Sequence, residues 1–396
     1  MHEAPLTLQT YQSEARKADR TRESKGQEFL LLGLFGEIGT LMDEVKKKQR
    51  DSRSYVGYEQ SVVEELGDVL WYLSNIADRA GISLNAIARH ATGENISEFS
   101  EPGSPLSFIS IQPQHHLPLQ TPTSAFERTL MQLVSGIGNL AAAQFNQQLD
   151  AGTLGPGLAN VFAALVQASN EAGVTLDQAA RENLNKIFDR WPVDRKPHGL
   201  FDDKYSIEER LPRHMTVDIY ERIINPGKTD ERQYVLQRSN DIFIGDRVTD
   251  NILEPDDYRF HDIFHYAYAA VLGWSPVIRA LLRLKRKSDS KIDESQDGAR
   301  AVLIEEGVSA FVFAYAKHLD FFEGQAPGDL SFTLLKRVKD FVQGYEVAEC
   351  PLWQWEEAIL QGYKGFRFLR EHRRGRLKIN LEERTFEIEP MPELSA

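Results

Sequence analysis

The stretch that most restricts how this chain can fold is residues 62–73, VVEELGDVLWYL. Val62, Val63, Leu66, Val69, Leu70 and Leu73 recur at three and four residues, the spacing of one buried face of an α-helix. Glu65 and Asp68 are three apart and therefore neighbours on one face of that helix. Upstream, between Leu30 and Lys48, a second helical stretch turns Glu37, Leu41 and Glu44 to a common face. Two helices that each aim carboxylates at an apolar seam lose several kcal/mol of hydration or take up protons, unless a cation sits among the acids. Oxygen-only ligands of this kind suit Mg²⁺, and Mg²⁺ in turn suits a substrate that carries phosphates. A helix pair with solvated acidic faces would explain Asp43, but not Glu65 and Asp68 in so apolar a helix.

The pattern resembles the MazG-type all-α nucleoside triphosphate pyrophosphohydrolases, whose signature is Glu-x-x-Glu followed at a distance by Glu-x-x-Asp. The resemblance is carried by residues 32–47, LGLFGEIGTLMDEVKK, and 64–73, EELGDVLWYL, with 8–15, LQTYQSEA, similar to the family's first helix. Thr40 stands where the family has its second Glu. The resemblance implies hydrolysis of a nucleoside triphosphate to a monophosphate and pyrophosphate, with Mg²⁺ (or Mn²⁺) as cofactor. The ion would be held by Glu37, Glu65 and Asp68, together with Glu44 or a water on Thr40. Glu64 or Glu44 would orient the attacking water as general base. Trp71 and Tyr72 could stack on a base or fill the core, and Lys46 and Lys47 could touch phosphates or simply close a solvated helix end.

A chain of 396 residues has room for two or three domains. Its net charge of −13 argues against bulk nucleic-acid binding, which needs a basic footprint. Cys350 is alone, so no internal disulfide is expected and a reducing cytoplasm is the natural reading. No apolar run reaches membrane-spanning length, and the start Met1-His2-Glu3-Ala4-Pro5 does not read as a signal peptide.

Taken in order, residues 1–97 read as one four-helix unit: Thr7 to about Arg20, a second helix to about Arg50, a third over 58–79 stopped at Ala80-Gly81, and a short fourth capped by Ser83. Five prolines and many serines make 98–124 a linker, with His115 and His116 solvated. Residues 125–196 then repeat the first unit. Positions 130–140 echo 31–41, positions 158–165 echo 66–73, and Ala172-Gly173-Val174-Thr175-Leu176 echoes Ala80-Gly81-Ile82-Ser83-Leu84. The echo keeps apolar positions and glycines but loses the acids, with Glu37 becoming Gly136, Glu65 Gly157 and Asp68 Asn160. Its last helix holds Asn183, Lys186 and Arg190, which look like the Asn-x-x-Lys…Arg segment that contributes to nucleotide binding in the family. The first unit would thus hold the metal, and the degenerate copy would lend Asn183, Lys186 and Arg190 to the nucleotide. The overall expectation is a mainly α chain, a tandem MazG-like bundle followed by a mostly helical domain with a small β-hairpin, pairing as a homodimer.

Residues 197–396 resemble the C-terminal extension of long MazG-like proteins. Positions 215–222 and 233–237 read as a hairpin around Asn225-Pro226-Gly227, 245–251 as a polar loop, and the rest as helix up to a tail strand after Ile379. His261-Asp262-x-x-His265 places two histidines one helical turn apart, and Glu305 or Glu306 could add a third ligand for Zn²⁺, Mn²⁺ or Fe²⁺. The alternative is a pair of hydrogen-bonded core histidines. Two other functions stay open: a nucleotide-binding regulator in which Thr40 marks lost catalysis, and a two-activity enzyme using the His/Glu cluster.

Overall fold

The computed structural model describes residues 5–112, 121–145, 151–229 and 231–391. The chain divides into two compact units, residues 1–188 and 189–396. His115 and His116 lie outside the described residues.

Among its described residues the first unit is built of helices: α1 (Leu8–Lys17), α2 (Gln27–Asp51), α3 (Tyr58–Arg79), α4 (Leu84–Ala91), α5 (Phe108–Ile111), α6 (Ser124–Phe145), α7 (Ala151–Ala172) and α8 (Leu176–Arg190), the last ending just past the unit's border. α1 begins at Thr7, whose hydroxyl accepts from the Thr10 amide, and buries Leu8, Tyr11 and Ala15. α3 ends where expected, because Gly81 takes φ +70° and lets the Ile82 amide turn back to the Ala77 carbonyl at 2.9 Å. The α7 terminus repeats this turn: Gly173 has φ +70°, and the Val174 amide reaches the Ser169 carbonyl at 3.0 Å.

The proline-rich stretch is not a detached linker over its described part. Thr7 and Ser107 form an antiparallel bridge, in which Leu8 N donates to Leu106 O at 3.0 Å and Phe108 N to Leu6 O at 3.2 Å. Ser107 caps α5 as Thr7 caps α1. Gln12 clamps the turn before α4, donating to Ile82 O and accepting from Leu84 N, both at 2.9 Å. Gln112 clamps the turn before α8 in the same way, donating to Val174 O at 2.8 Å and accepting from Leu176 N at 2.7 Å. α5 therefore stands to α8 as α1 stands to α4. Phe108 is fully buried, edge-on to Tyr11 at 5.6 Å. Asn85, also fully buried, fixes the preceding loop by donating to Ser104 O and accepting from Leu106 N.

The second unit combines a five-stranded antiparallel sheet with helices. The strands are β1 (His214–Ile224), β2 (Arg232–Ser239), β3 (Ile242–Val248), β4 (Arg374–Asn380) and β5 (Thr385–Glu389), in the order β3-β2-β1-β4-β5. The expected hairpin is β1–β2, but two expectations fail around it. The polar 245–251 stretch is in part β3, an edge strand whose outer residues can stay polar. The basic run 370–378 is not continuous helix: Arg373 takes φ +58°, and β4 follows, pairing with β1 across Asp218 and Arg376. The Asp218 carboxylate gathers Arg376 at 2.7 Å and Arg238 at 3.1 Å, so charge along β4 is neutralised by the strand beside it. The helices are α9 (Asp262–Leu272), α10 (Pro276–Leu282), α11 (Ser290–Ser295), α12 (Ala299–Ala316), α13 (Phe332–Phe341) and α14 (Leu352–His372). α9 is buried from Ile263 to Leu272, as a helix apolar all round must be.

Candidate functional site

α2 and α3 approach closely because Gly33 has no side chain; a Cβ there would lie 2.1 Å from the Tyr72 ring. The approach brings Glu37 of α2 to Glu65 and Asp68 of α3, with one carboxylate oxygen from each within 4.8 Å of the others. Glu65 Oε2 is buried without a hydrogen-bond partner. Crowding has the expected electrical consequence. Burial, with Asp68 adding to it, pushes Glu37 up to about 7, and burial, Asp68 and Glu37 push Glu65 up to about 8. Such a site lacks positive charge, and a divalent cation bound by oxygen ligands would supply it.

Part of that charge comes from the echo unit. α8 sits so close to α3 that a Cβ on Gly67 would lie 2.6 Å from the Ala179 carbonyl oxygen and 2.9 Å from Asn183 Cβ. At that separation Asn183 Nδ2 donates to Asp68 Oδ1 at 2.8 Å, while its own oxygen accepts from the Tyr11 hydroxyl at 3.0 Å. One turn on, Lys186 Nζ meets Asp68 at 2.5 Å and Glu64 at 3.5 Å. Burial pulls the Lys186 ammonium down, but Asp68, Glu64 and Glu37 more than offset it and keep its pKa above the usual lysine value.

A model of the MazG nucleotide pyrophosphohydrolase domain matches residues 25–93, and one of the MazG C-terminal domain matches residues 196–392. The chain belongs to the MazG family. Its N-terminal domain is of the class that hydrolyses nucleotide phosphoric anhydrides. The Gene 37 protein of Mycobacterium phage L5 is 31% identical over 67 residues, which make up 16% of this chain and 59% of the phage protein. No solved structure matches the chain.

Several of the other residues picked out from the sequence are engaged with partners outside the acidic cluster. Glu44 is not part of the acidic cluster. It stands two turns, about 10 Å of helix, beyond Glu37 and pairs with Lys47 at 2.9 Å. The exposed Thr40 gives its hydroxyl hydrogen to the Gly36 carbonyl at 3.1 Å, the local bond that serine and threonine make inside helices. Lys46 points to solvent and pairs with Asp43. Trp71 packs edge-on to Tyr72 at 5.0 Å and belongs to the core's border. Tyr72 is near the acids: burial first, then Glu37 and Asp68, push its hydroxyl up to about 12. Arg190, at the end of α8, makes its contacts within the second unit. It is buried there, where it donates to the carbonyls of Gly328 and Leu330 and lies over the Trp191 ring at 4.3 Å. Two turns separate it from Asn183, and there the backbone carbonyls of a loop are the acceptors at hand.

Sequence reasoning missed the paired glutamines and the role of Tyr11. The signal was present: a hydroxyl residue followed five positions later by glutamine occurs at Thr7/Gln12 and again at Ser107/Gln112.

The MazG C-terminal domain contains the second polar group. His261, His265 and Glu306 each bring one ligand atom within 4.8 Å of the others. Of the two acids considered, Glu306 joins this trio, while Glu305, fully buried, holds the far side of the His265 ring at 2.8 Å. Asp262 borders the group, 3.2 Å from His261 Nε2, and its other oxygen accepts from Gln237.

Proposed function

We propose that the chain is a metal-dependent nucleoside triphosphate pyrophosphohydrolase whose chemistry resides in the acidic cluster of the N-terminal unit. The observation that carries this reading is the convergence of Glu37, Glu65 and Asp68 across the α2–α3 seam. The donor set fits the group: three carboxylates, one with a buried oxygen lacking any partner, suit Mg²⁺ or Mn²⁺ better than a nitrogen-preferring ion. Glu37, Glu65 and Asp68 would hold it, and when bound it supplies charge neutralisation and Lewis acidity at the phosphates. Lys186 and Asn183 hold Asp68 in place, and Lys186 adds a positive charge where the triphosphate would lie. Glu64, bordering the cluster beside Lys186, takes a proton from the attacking water as its oxygen bonds to phosphorus. The phosphoanhydride bond to the departing pyrophosphate breaks in the same displacement. Positioning and charge carry most of the acceleration in such reactions. A lone buried thiol, Cys350, fits a reducing cytoplasm, and no helix among the described residues is long and apolar enough to cross a membrane.

Thr40 and Glu44 favour a second reading. With the Thr40 hydroxyl committed to Gly36 and Glu44 paired to Lys47, neither completes the cluster where the family's second Glu would stand, as a nucleotide-binding regulator would show. One assay separates the two: pyrophosphate release across the common ribo- and deoxynucleoside triphosphates, with Mg²⁺ and then Mn²⁺. Turnover that falls by at least about 100-fold in Glu65→Gln and is unchanged in His261→Ala supports the enzyme. Nucleotide binding with no turnover of any substrate selects the regulator.

A further inference from the structure

We infer that the MazG C-terminal domain carries a transition-metal site formed by His261, His265 and Glu306. The inference is independent of the chemistry proposed for the N-terminal unit. α9 is buried along its length, and a histidine placed in it must find polar partners or lose hydration. Each of the two histidines finds one fixed partner, and on the same ring atom. His265 Nδ1 lies 2.8 Å from Glu305 Oε1. Glu305 is itself immobilised, accepting from Ser275 Oγ at 2.6 Å and from the Val277 amide at 2.8 Å. His261 Nδ1 lies 2.9 Å from the Tyr258 carbonyl, and the Tyr258 ring stacks on the imidazole at 4.4 Å. A carbonyl and a carboxylate can only accept, so Nδ1 carries the hydrogen in both rings. This is how ligating histidines are usually oriented from behind.

The Nε2 atoms are what remain. His265 Nε2 is fully buried with no hydrogen-bond partner. Both Nε2 atoms face Glu306 Oε2, at 3.6 Å from His261 and 3.5 Å from His265, and His261 Nε2 also has Asp262 Oδ1 at 3.2 Å. A charge-assisted hydrogen bond would be near 2.8 Å. Ligands about 2.1 Å from a tetrahedral ion, by contrast, stand about 3.4 Å apart. At these separations neither contact with Glu306 is a close charge-assisted hydrogen bond, whereas a dication among the three atoms would satisfy them all. Asp262 is within reach as a further ligand. Glu306 is 38% exposed at its side chain and forms the side open to solvent, which gives an ion a way in. Two imidazole nitrogens with a carboxylate suit Zn²⁺, Mn²⁺ or Fe²⁺ and disfavour Mg²⁺.

The test uses the full chain, dialysed against Zn²⁺ or Co²⁺ with excess Mg²⁺ to occupy the acidic cluster. Metal content per chain and the visible absorption of bound Co²⁺ are then read. The expected result is one tightly held ion with a nitrogen-ligated Co²⁺ spectrum. Affinity should fall at least about 10-fold in Glu306→Ala, a partly exposed helical position that leaves the fold intact by circular dichroism, and in His261→Ala. Pyrophosphate release should be unchanged in both. Zn²⁺ and Co²⁺ content no higher than in the His261→Ala/Glu306→Ala double variant overturns the inference. The trio would then be an ion pair, with His265 kept protonated against the pull of burial by Glu305 and Glu306.

Discussion

Raising the pH on metal-free protein tests the acidic cluster most directly. Burial and neighbouring acids push Glu37 up to about 7 and Glu65 up to about 8, from an ordinary value of 4.5 in the unfolded chain. A carboxyl raised in this way keeps its proton in the folded chain after the unfolded chain has lost it. Its contribution to stability is therefore complete below about 4.5 and is lost as pH climbs through the folded value. Metal-free protein should accordingly weaken between about pH 4.5 and pH 8. At about 1.4 kcal/mol for each tenfold change in proton affinity, two independent groups would lose several kcal/mol. Both side chains keep partial contact with water, and each raises the other, so solvent screening and coupling reduce the expected loss to about 3 kcal/mol. In a unit of this size that is a fall in Tm of about 6–12 °C. Bound metal needs the same carboxylates ionised, so saturating Mg²⁺ should raise Tm little at about pH 5 and most at about pH 8. Calorimetry with and without chelator, in wild type and in Glu37→Gln/Glu65→Gln, provides the measurement. A pH slope of the same size in the double variant, or a Mg²⁺ effect that does not grow with pH, would refute the reasoning.

Two packing predictions follow from the same unit. Gly67→Ala forces a methyl against the Ala179 carbonyl, 2.6 Å away, and backbone cannot yield as a side chain would. A loss of about 1–3 kcal/mol and weaker Mg²⁺ binding, as Asn183 and Lys186 move off Asp68, are expected by denaturant titration and calorimetry; a neutral variant would show that α8 is not seated there. Phe108→Ala removes a fully buried ring from a segment that reads as linker. It should lower unfolding free energy by about 3–5 kcal/mol, whereas a change within experimental error in urea midpoint would mean that the segment is dispensable.

Local periodicity determined much of this molecule. The bounds of α3, the glycine stop at Gly81, the repeat of that turn at Gly173 and the opposition of Glu37 to Glu65 and Asp68 follow from apolar spacing and residue type, which act within a few turns of chain. The same information could not place Glu44 or Arg190. Both lie two turns along a helix from a residue that does reach the cluster, and which partner a long side chain takes depends on what lies opposite. Glu305 and Glu306 are adjacent in sequence, yet one is sealed behind His265 and the other meets both imidazoles, because a helix points neighbouring side chains about 100° apart. β4 was hidden for a similar reason: a basic run becomes a strand only when Asp218 of β1 stands beside it. Tertiary structure decided the partners, since a charge is stabilised by the groups that surround it in space and not by those that precede it in the chain.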